Sequence, residues 1–447
     1  MRARPRRATG TIRAMSPTRN EARGCPGAAP PGAREELVSR PVTEAEGLDE
    51  VFEKSLPAFG GSDLRRLWQI LDQAIGSGVP MALAVSGPVT LSGQHETWLG
   101  PLLDTGWFLL VSTTDAVCYH DGHRALDAAD ERPFFRVARD GDDAELRDEG
   151  TIRVTDVGFP ETTLLEQDRF LRAVLAEPEF QERMSGTRFR SLLGRRFAAQ
   201  ERKNGAREGL LALCHRKAIP IFVGAPSDGS VFLNSVALAA RELVGGPAHR
   251  FDLDLHREVL ESCAIHLWGV RESETGALGT LILGGGVPKN FNLQPEPALS
   301  QILGIDVPGY LFDVQITTAP VSDGSLSSCP PAEAVTWGKV DKESYRSTCV
   351  SLQADYTTVM PFVARALLEK RARFERWAER MGREALFAKH PEARGYLRDP
   401  AGYRMLDRLD ELMERLLAEL RADALEMETD YPLAPLPIAE DSTEERD

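Results

Sequence analysis

Short continuous apolar runs, each followed by a polar, glycine-bearing loop, constrain this 447-residue chain more than any other feature. Residues 81–85, 107–111, 219–223, 280–283, 310–316 and 350–353 have this character, and 264–268 reads the same way. A strand buried on both faces has no polar side to alternate with, and such strands belong to parallel sheets covered by helices. Between the runs the spacing becomes helical. Leu64, Leu67, Ile70, Leu71 and Ala74 recur at helical intervals behind a Ser62-Asp63 cap, and Gly76 and Gly78 close the segment. Residues 96–103 and 235–243 follow the same rule, and the middle of the chain reads as a long helical stretch. The fold expected is α/β: one doubly wound, mostly parallel sheet.

Outside that body the sequence changes character. Residues 1–45 are an Arg/Pro-rich leader without periodicity, read as disordered, or as an over-long start upstream of Met15. The catalytic domain is expected over residues 46–390 and a helical extension over 391–430. An acidic, proline-containing tail, 431–447, is read as disordered. In the extension, Leu406, Leu409, Leu412, Met413, Leu416, Leu417 and Leu420 form one apolar stripe, suited to docking on the body or on a sister subunit.

Net charge is −15 although residues 1–40 carry nine arginines, so the body is more acidic still. A nucleic-acid groove needs clustered cations and is excluded, whereas a cationic substrate is compatible. No run is long enough to span a bilayer, and no secretory signal is visible. Cys25, Cys118, Cys214, Cys263, Cys329 and Cys349 are scattered without a C-x-x-C pair. That usage implies reduced thiols in a cytoplasmic setting, with neither a zinc site nor a disulfide framework.

Several loops after the apolar runs carry chemistry. Gly284-Gly285-Gly286 follows residues 280–283, where glycines let backbone approach a ligand and offer N–H groups to phosphate; a tight turn looks the same. Ser112-Thr113-Thr114-Asp115 is either a nucleotide-holding turn or a helix N-cap. Asp228-Gly229-Ser230, Asp323-Gly324-Ser325 and Asp355 stand at equivalent places, as ribose or amine ligands or as ordinary turns. Glu333, Trp337 and Lys339 are sharper. If residues 333–337 are helical, the acid and the indole share one face beside a lysine. An aromatic wall with a carboxylate can host an alkylammonium group, and desolvation there favours the neutral, nucleophilic amine. A surface lysine beside a half-buried tryptophan would look similar.

These motifs resemble the deoxyhypusine synthase family. The resemblance rests on Leu283-Gly284-Gly285-Gly286-Val287-Pro288-Lys289, Glu333-Ala334-Val335-Thr336-Trp337-Gly338-Lys339, Asp323-Gly324 and Asp355. Residues 142–156, Pro160-Glu161, residues 164–170, Lys289-Asn290-Phe291 and Leu326 are similar to its bacterial branch, associated with homospermidine biosynthesis or described as deoxyhypusine synthase-like. The resemblance spans roughly residues 60–390 and implies a Rossmann-like NAD-binding fold, usually a homotetramer with sites shared across a dimer interface.

The implied activity is that of an NAD-dependent transferase of polyamine metabolism. NAD oxidises spermidine to an imine, the enzyme lysine captures the four-carbon unit, and 1,3-diaminopropane leaves. An acceptor amine then displaces the enzyme, and NADH reduces the new imine. The acceptor would be a diamine such as putrescine, giving homospermidine, or a protein lysine, giving deoxyhypusine. By motif position, Lys339 is the imine-forming residue. Glu333, Trp337, Gly324, Ser325 and Asn290 line the polyamine site. Gly284, Gly285, Gly286, Ser112, Thr113, Asp228, Thr318, Ala319, Asp323, Ser327 and Asp355 hold NAD, and no metal is implied.

The chain departs from the family pattern in four places. Asn290 stands where eukaryotic members have histidine, Leu326 and Leu233 where they have acids, and Thr114-Asp115 where a small pair is usual. These departures define the alternative, a catalytically inactive polyamine- or nucleotide-binding paralogue of the same fold.

Overall fold

A computed structural model describes residues 37, 39–87, 89–126 and 134–430. The leader before residue 37, with Cys25 and Met15, and the tail 431–447 lie outside the described residues. The architecture is that of the unit that begins after Leu37.

Six parallel strands form the main sheet: β1 (Met81–Val85), β2 (Phe108–Thr113), β3 (Ile221–Val223), β4 (Gly279–Leu283), β5 (Phe312–Thr317) and β6 (Cys349–Gln353). Their spatial order is β6-β5-β4-β1-β2-β3. The chain builds outward from β1 through β2 to β3, then crosses back to β4 and builds outward the other way. Order therefore reverses between β1 and β4, where Ala84 pairs with Ile282, and an open α/β sheet binds its ligand outside the carboxyl ends of such strands.

The helices that matter below are α1 (Phe59–Gly76), α2 (Asp115–Leu126), α3 (Glu161–Leu175), α4 (Gly186–Asn204), α5 (Ser230–Leu243), α6 (Leu255–Arg271), α7 (Tyr356–Met381) and α8 (Leu409–Asp430). Strand side chains divide between two cores. Leu83, Val85, Val314 and Ile316 pack with Leu67 and Leu71 of α1 and with Met360, Val363 and Leu367 of α7. Ala82, Ala84, Leu110 and Ile282 pack on the opposite face with Cys263, Ala264, Ile265 and Trp268 of α6. Successive strand residues thus serve different layers, which is why the runs read as continuously apolar.

Three expectations are corrected. Residues 264–268 lie inside α6, not in a strand; this helix is covered by the sheet on one side and by α8 on the other. Leu409, Leu412, Met413 and Leu416 of α8 supply that second cover, each contributing about 1.5–3 kcal/mol on burial. Helix α1 begins at Phe59, before the expected Ser62-Asp63 cap. The middle of the chain is also not wholly helical, because strands Phe135–Arg136, Thr151–Val154 and Val157–Pro160 form a separate three-stranded antiparallel sheet with the last of them in the centre.

Candidate active site

The segment leading to Lys339 is a turn of helix, Pro331–Ala334, tightened into a 3-10 turn, Val335–Trp337. Gly338 ends it with φ +79°, a conformation that costs other residues about 1–2 kcal/mol. A Cβ there would also come within 2.7 Å of the Glu296 carboxylate. Beyond the turn the Lys339 carbonyl accepts from Tyr310 N–H at 2.9 Å, and Asp341 N–H donates to the Tyr310 carbonyl at 2.9 Å. The lysine backbone is thereby tied to the chain entering β5, and its side chain emerges from a fixed base.

Lys339 Nζ lies over the Trp337 indole, 5.7 Å from the ring centre. Both line a groove of about 680 Å³ with Glu333, Asn290, Leu326 and Cys329. Burial holds the Lys339 ammonium below its ordinary pKa of 10.5, opposed by the Cys329 and Glu296 side chains. Glu296 is itself buried, carries an oxygen with no hydrogen-bond partner, and is pushed up by burial. Burial also pushes the Cys329 thiol up, so it stays protonated at neutral pH. Glu296 and Cys329 escape motif reading, because neither belongs to a periodic or glycine-bearing signal.

Lys289, at the end of the glycine motif, is 2 % exposed. Its Nζ donates to Gln315 Oε1 at 2.6 Å and to the carbonyls of Leu326 and Cys329 at 2.9 and 2.5 Å. The buried amine thus pins the loop that walls the groove. The same loop packs against the glycine turn, since a Cβ on Gly285 would meet Ser327 at 2.2 Å.

At the strand carboxyl ends lies a second cavity, of about 600 Å³, lined by Gly284, Thr317, Thr318, Asp355, Gln94 and Thr357 among others. Gly284 has φ +86°, and Gly285 N–H is held by Ser86 Oγ at 3.2 Å. Asp355 caps α7 by accepting from Thr357 N–H at 2.9 Å. This crevice sits where the sheet order reverses. The 323–329 loop brings Ser327 to its glycine turn and Leu326 and Cys329 to the lysine groove.

The expected site residues therefore do not all meet in one place. Glu333, Trp337, Lys339 and Asn290 share the groove, while Gly284, Thr318 and Asp355 share the crevice. Gly324, Ser325 and Asp323 form an exposed turn in which the Asp323 carboxylate accepts from Ser325 N–H and Oγ, each at 3.0 Å. Gly285, Gly286, Ala319 and Ser327 flank the crevice without lining it, whereas Asp228 lies apart from it, in the 3-10 turn Pro226–Asp228 that follows the edge strand β3. Ser112 and Thr113 are corrected: their hydroxyls are fully buried and donate to the carbonyls of Pro288 and Val85, at 2.9 and 2.8 Å. They brace the strand ends. Asp115 is likewise turned inward, accepting from Val231 N–H at 2.8 Å at the start of α5, and burial raises its pKa to about 6.

Among the described residues no helix is long and apolar enough to cross a membrane, and no group of side chains has a metal-binding arrangement.

The family model for deoxyhypusine synthase matches residues 49–367. The chain is 34% identical over 340 residues to "Deoxyhypusine synthase-like protein" from Nostoc punctiforme, covering 75% of this chain and 83% of the relative. It is 33% identical over 409 residues to a protein of the same description from Thermosynechococcus vestitus, covering 90% and 93%. Among solved structures, a putative deoxyhypusine synthase from Entamoeba histolytica is similar with a TM-score of 0.43 at 13% identity, covering 73% of this chain and 94% of that one. The chain belongs to the deoxyhypusine synthase family.

Proposed function

We propose that this member of the deoxyhypusine synthase family transfers the aminobutyl group of spermidine to an acceptor amine, with NAD as cofactor and Lys339 as covalent carrier. The observation that carries the reading is the half-buried Lys339 amine, held over Trp337 with its pKa lowered by burial. Glu333 lines the same groove, and the dinucleotide-sized crevice lies across one short loop.

Residues at the crevice suit the cofactor. Gly284 exposes backbone at the switch point, and Thr318 and Asp355 offer polar groups for ribose hydroxyls. When bound, NAD would supply the hydride acceptor for amine oxidation and NADH the donor for the final reduction.

Lys339, in its neutral form, would attack the donor-derived imine carbon. Loss of 1,3-diaminopropane would leave the four-carbon unit on Nζ as an enzyme imine. The acceptor amine would then add to that carbon and release Lys339. Glu333 would hold the cationic end of the amine and Trp337 would cover its alkyl chain. Asn290 lines the same groove, while Gly324 and Ser325 lie in the adjoining turn. The acceptor we favour is a free diamine such as putrescine, giving homospermidine.

We assign residues 46–390 to the catalytic unit and 391–430 to its extension. A homo-oligomer, a tetramer in this reading, is supported by the exposed Leu233, Val236 and Leu243 on one side of α5. The free thiols of Cys118, Cys214, Cys263, Cys329 and Cys349 support a cytoplasmic setting. A second reading, a non-catalytic polyamine- or nucleotide-binding protein, draws on Leu326, which adds an apolar side chain to the groove wall.

The test is to incubate the full chain with NAD, spermidine and putrescine and analyse the amines by mass spectrometry. Homospermidine and 1,3-diaminopropane in equal amounts are expected. Free diaminopropane without homospermidine would redirect the search to a protein lysine. Unchanged spermidine with every acceptor tried would favour the binding protein.

A further inference from the structure

The small antiparallel sheet Phe135–Arg136, Thr151–Val154 and Val157–Pro160 plays no part in the chemistry above, yet it forms one wall of the crevice. Arg136 and Arg139 line that cavity together with Val154, Thr155, Asp156 and Val157, facing Gly284, Thr318 and Asp355. Arg136 Nη1 lies 2.7 Å, and Arg139 Nη2 3.4 Å, from the same oxygen of Asp156. One carboxylate thus answers two guanidinium groups, leaving one positive charge and most of both donor forks free. Both arginine side chains are largely exposed.

Their position is built in by the backbone. Val137 N–H donates to the Asp156 carbonyl at 3.1 Å, which pairs the arginine-bearing strand with the hairpin turn. That turn is tight, with Thr155 at φ +57°. Gly158 allows the strands to close, because a Cβ there would meet Val137 and Phe135 at 2.6 and 2.7 Å.

Among the described residues no other lysine or arginine lines the crevice. In a chain of net charge −15, two guanidinium groups on one wall balance the crevice's own acids, Asp156 and Asp355, and put the donors an anion needs within its reach. Guanidinium forks match phosphate oxygens two at a time.

We propose that Arg136 and Arg139, at the small antiparallel sheet, bind a phosphate group of the dinucleotide cofactor. This rests on the dinucleotide reading of the crevice given above. The phosphate has two possible sources with the same chemistry: the pyrophosphate bridge, present in NAD and NADP alike, or the 2′-phosphate, present in NADP alone.

Calorimetric titration of the full-length protein with NAD and with NADP, for the natural sequence and for R136A/R139A, tests the proposal. Equal melting temperatures of the two proteins would establish that the exposed substitutions leave the fold intact. Weakening of at least about tenfold is expected, since charge-assisted contacts are lost. An equal loss for both dinucleotides supports it through the pyrophosphate, and a loss confined to NADP supports it through the 2′-phosphate. Unchanged affinity for both overturns the proposal and leaves the cofactor reading intact. If neither dinucleotide binds the natural protein, both fall together.

Discussion

Lys339 Nζ sits 5.7 Å from the centre of the Trp337 ring, and the one residue between them, Gly338, turns the chain in the left-handed region against Glu296. Reach, burial and charge of the amine all follow from that turn. Gly338→Ala would add about 1–2 kcal/mol of backbone strain and a Cβ contact of 2.7 Å with Glu296. We expect it to lose most amine-transfer activity while remaining folded, as judged by circular dichroism. Full activity would show that the turn does not set the amine.

Trp337 is 59% exposed, so its contact with a cation is the modest kind, worth about 0.5–1 kcal/mol. Trp337→Leu should therefore raise KM for the amine substrate by roughly two- to fivefold. A kcat effect much larger than the KM effect would move the indole from binding into the chemical step.

The pH dependence should carry the signature of Lys339. Only the neutral amine attacks, and burial lowers its pKa, so the rate should rise with pH and level off below the ordinary lysine value of 10.5. The negative charge of Glu296 favours the ammonium form. Removing it in Glu296→Gln lowers the pKa further, and the rising limb should move to lower pH. An unmoved limb would assign the limb to another group.

Lys289 gives a prediction for stability. Lys289→Met would leave the Gln315, Leu326 and Cys329 acceptors without their donor, at a cost of about 2–4 kcal/mol. The loss should appear as a lower denaturant midpoint, with the 323–329 loop gaining hydrogen exchange. Unchanged exchange there would mean the loop is held by other contacts.

Asp313, buried beneath the same network, is pushed by burial from 3.8 up to about 7, against the pull of Lys289. A carboxyl raised in the folded state contributes most below its unfolded value, and that contribution is lost as pH rises through about 7. Asp313→Asn removes the dependence. Its melting temperature relative to the natural protein should therefore increase from pH 5 to pH 8, and a constant difference would contradict the burial argument.

The main sheet is legible in the sequence because both faces of each strand are buried, which strips the runs of polar residues. That same rule misleads at residues 264–268. Helix α6 is enclosed by the sheet and α8, so its second half lacks the polar stripe that would distinguish helix from strand. Lys339, Trp337 and Glu333 are visible through their motif, and Gly284 through its place after a strand. Glu296, Cys329, Arg136 and Arg139 are not. Tertiary packing brings Cys329 and the arginines to the two cavities and Glu296 to the Gly338 turn, and no local spacing encodes it. Ser112 and Thr113 show the converse, since hydroxyls at a strand end look alike whether they face a ligand or a neighbouring carbonyl.

The most direct test of the covalent role is borohydride trapping of the protein incubated with NAD and spermidine, read by intact mass. The account predicts a four-carbon amine adduct on the natural protein that peptide mapping assigns to Lys339 and that Lys339→Ala lacks. An adduct of equal yield on Lys339→Ala, or none on a natural protein that demonstrably binds NAD and spermidine, would contradict it.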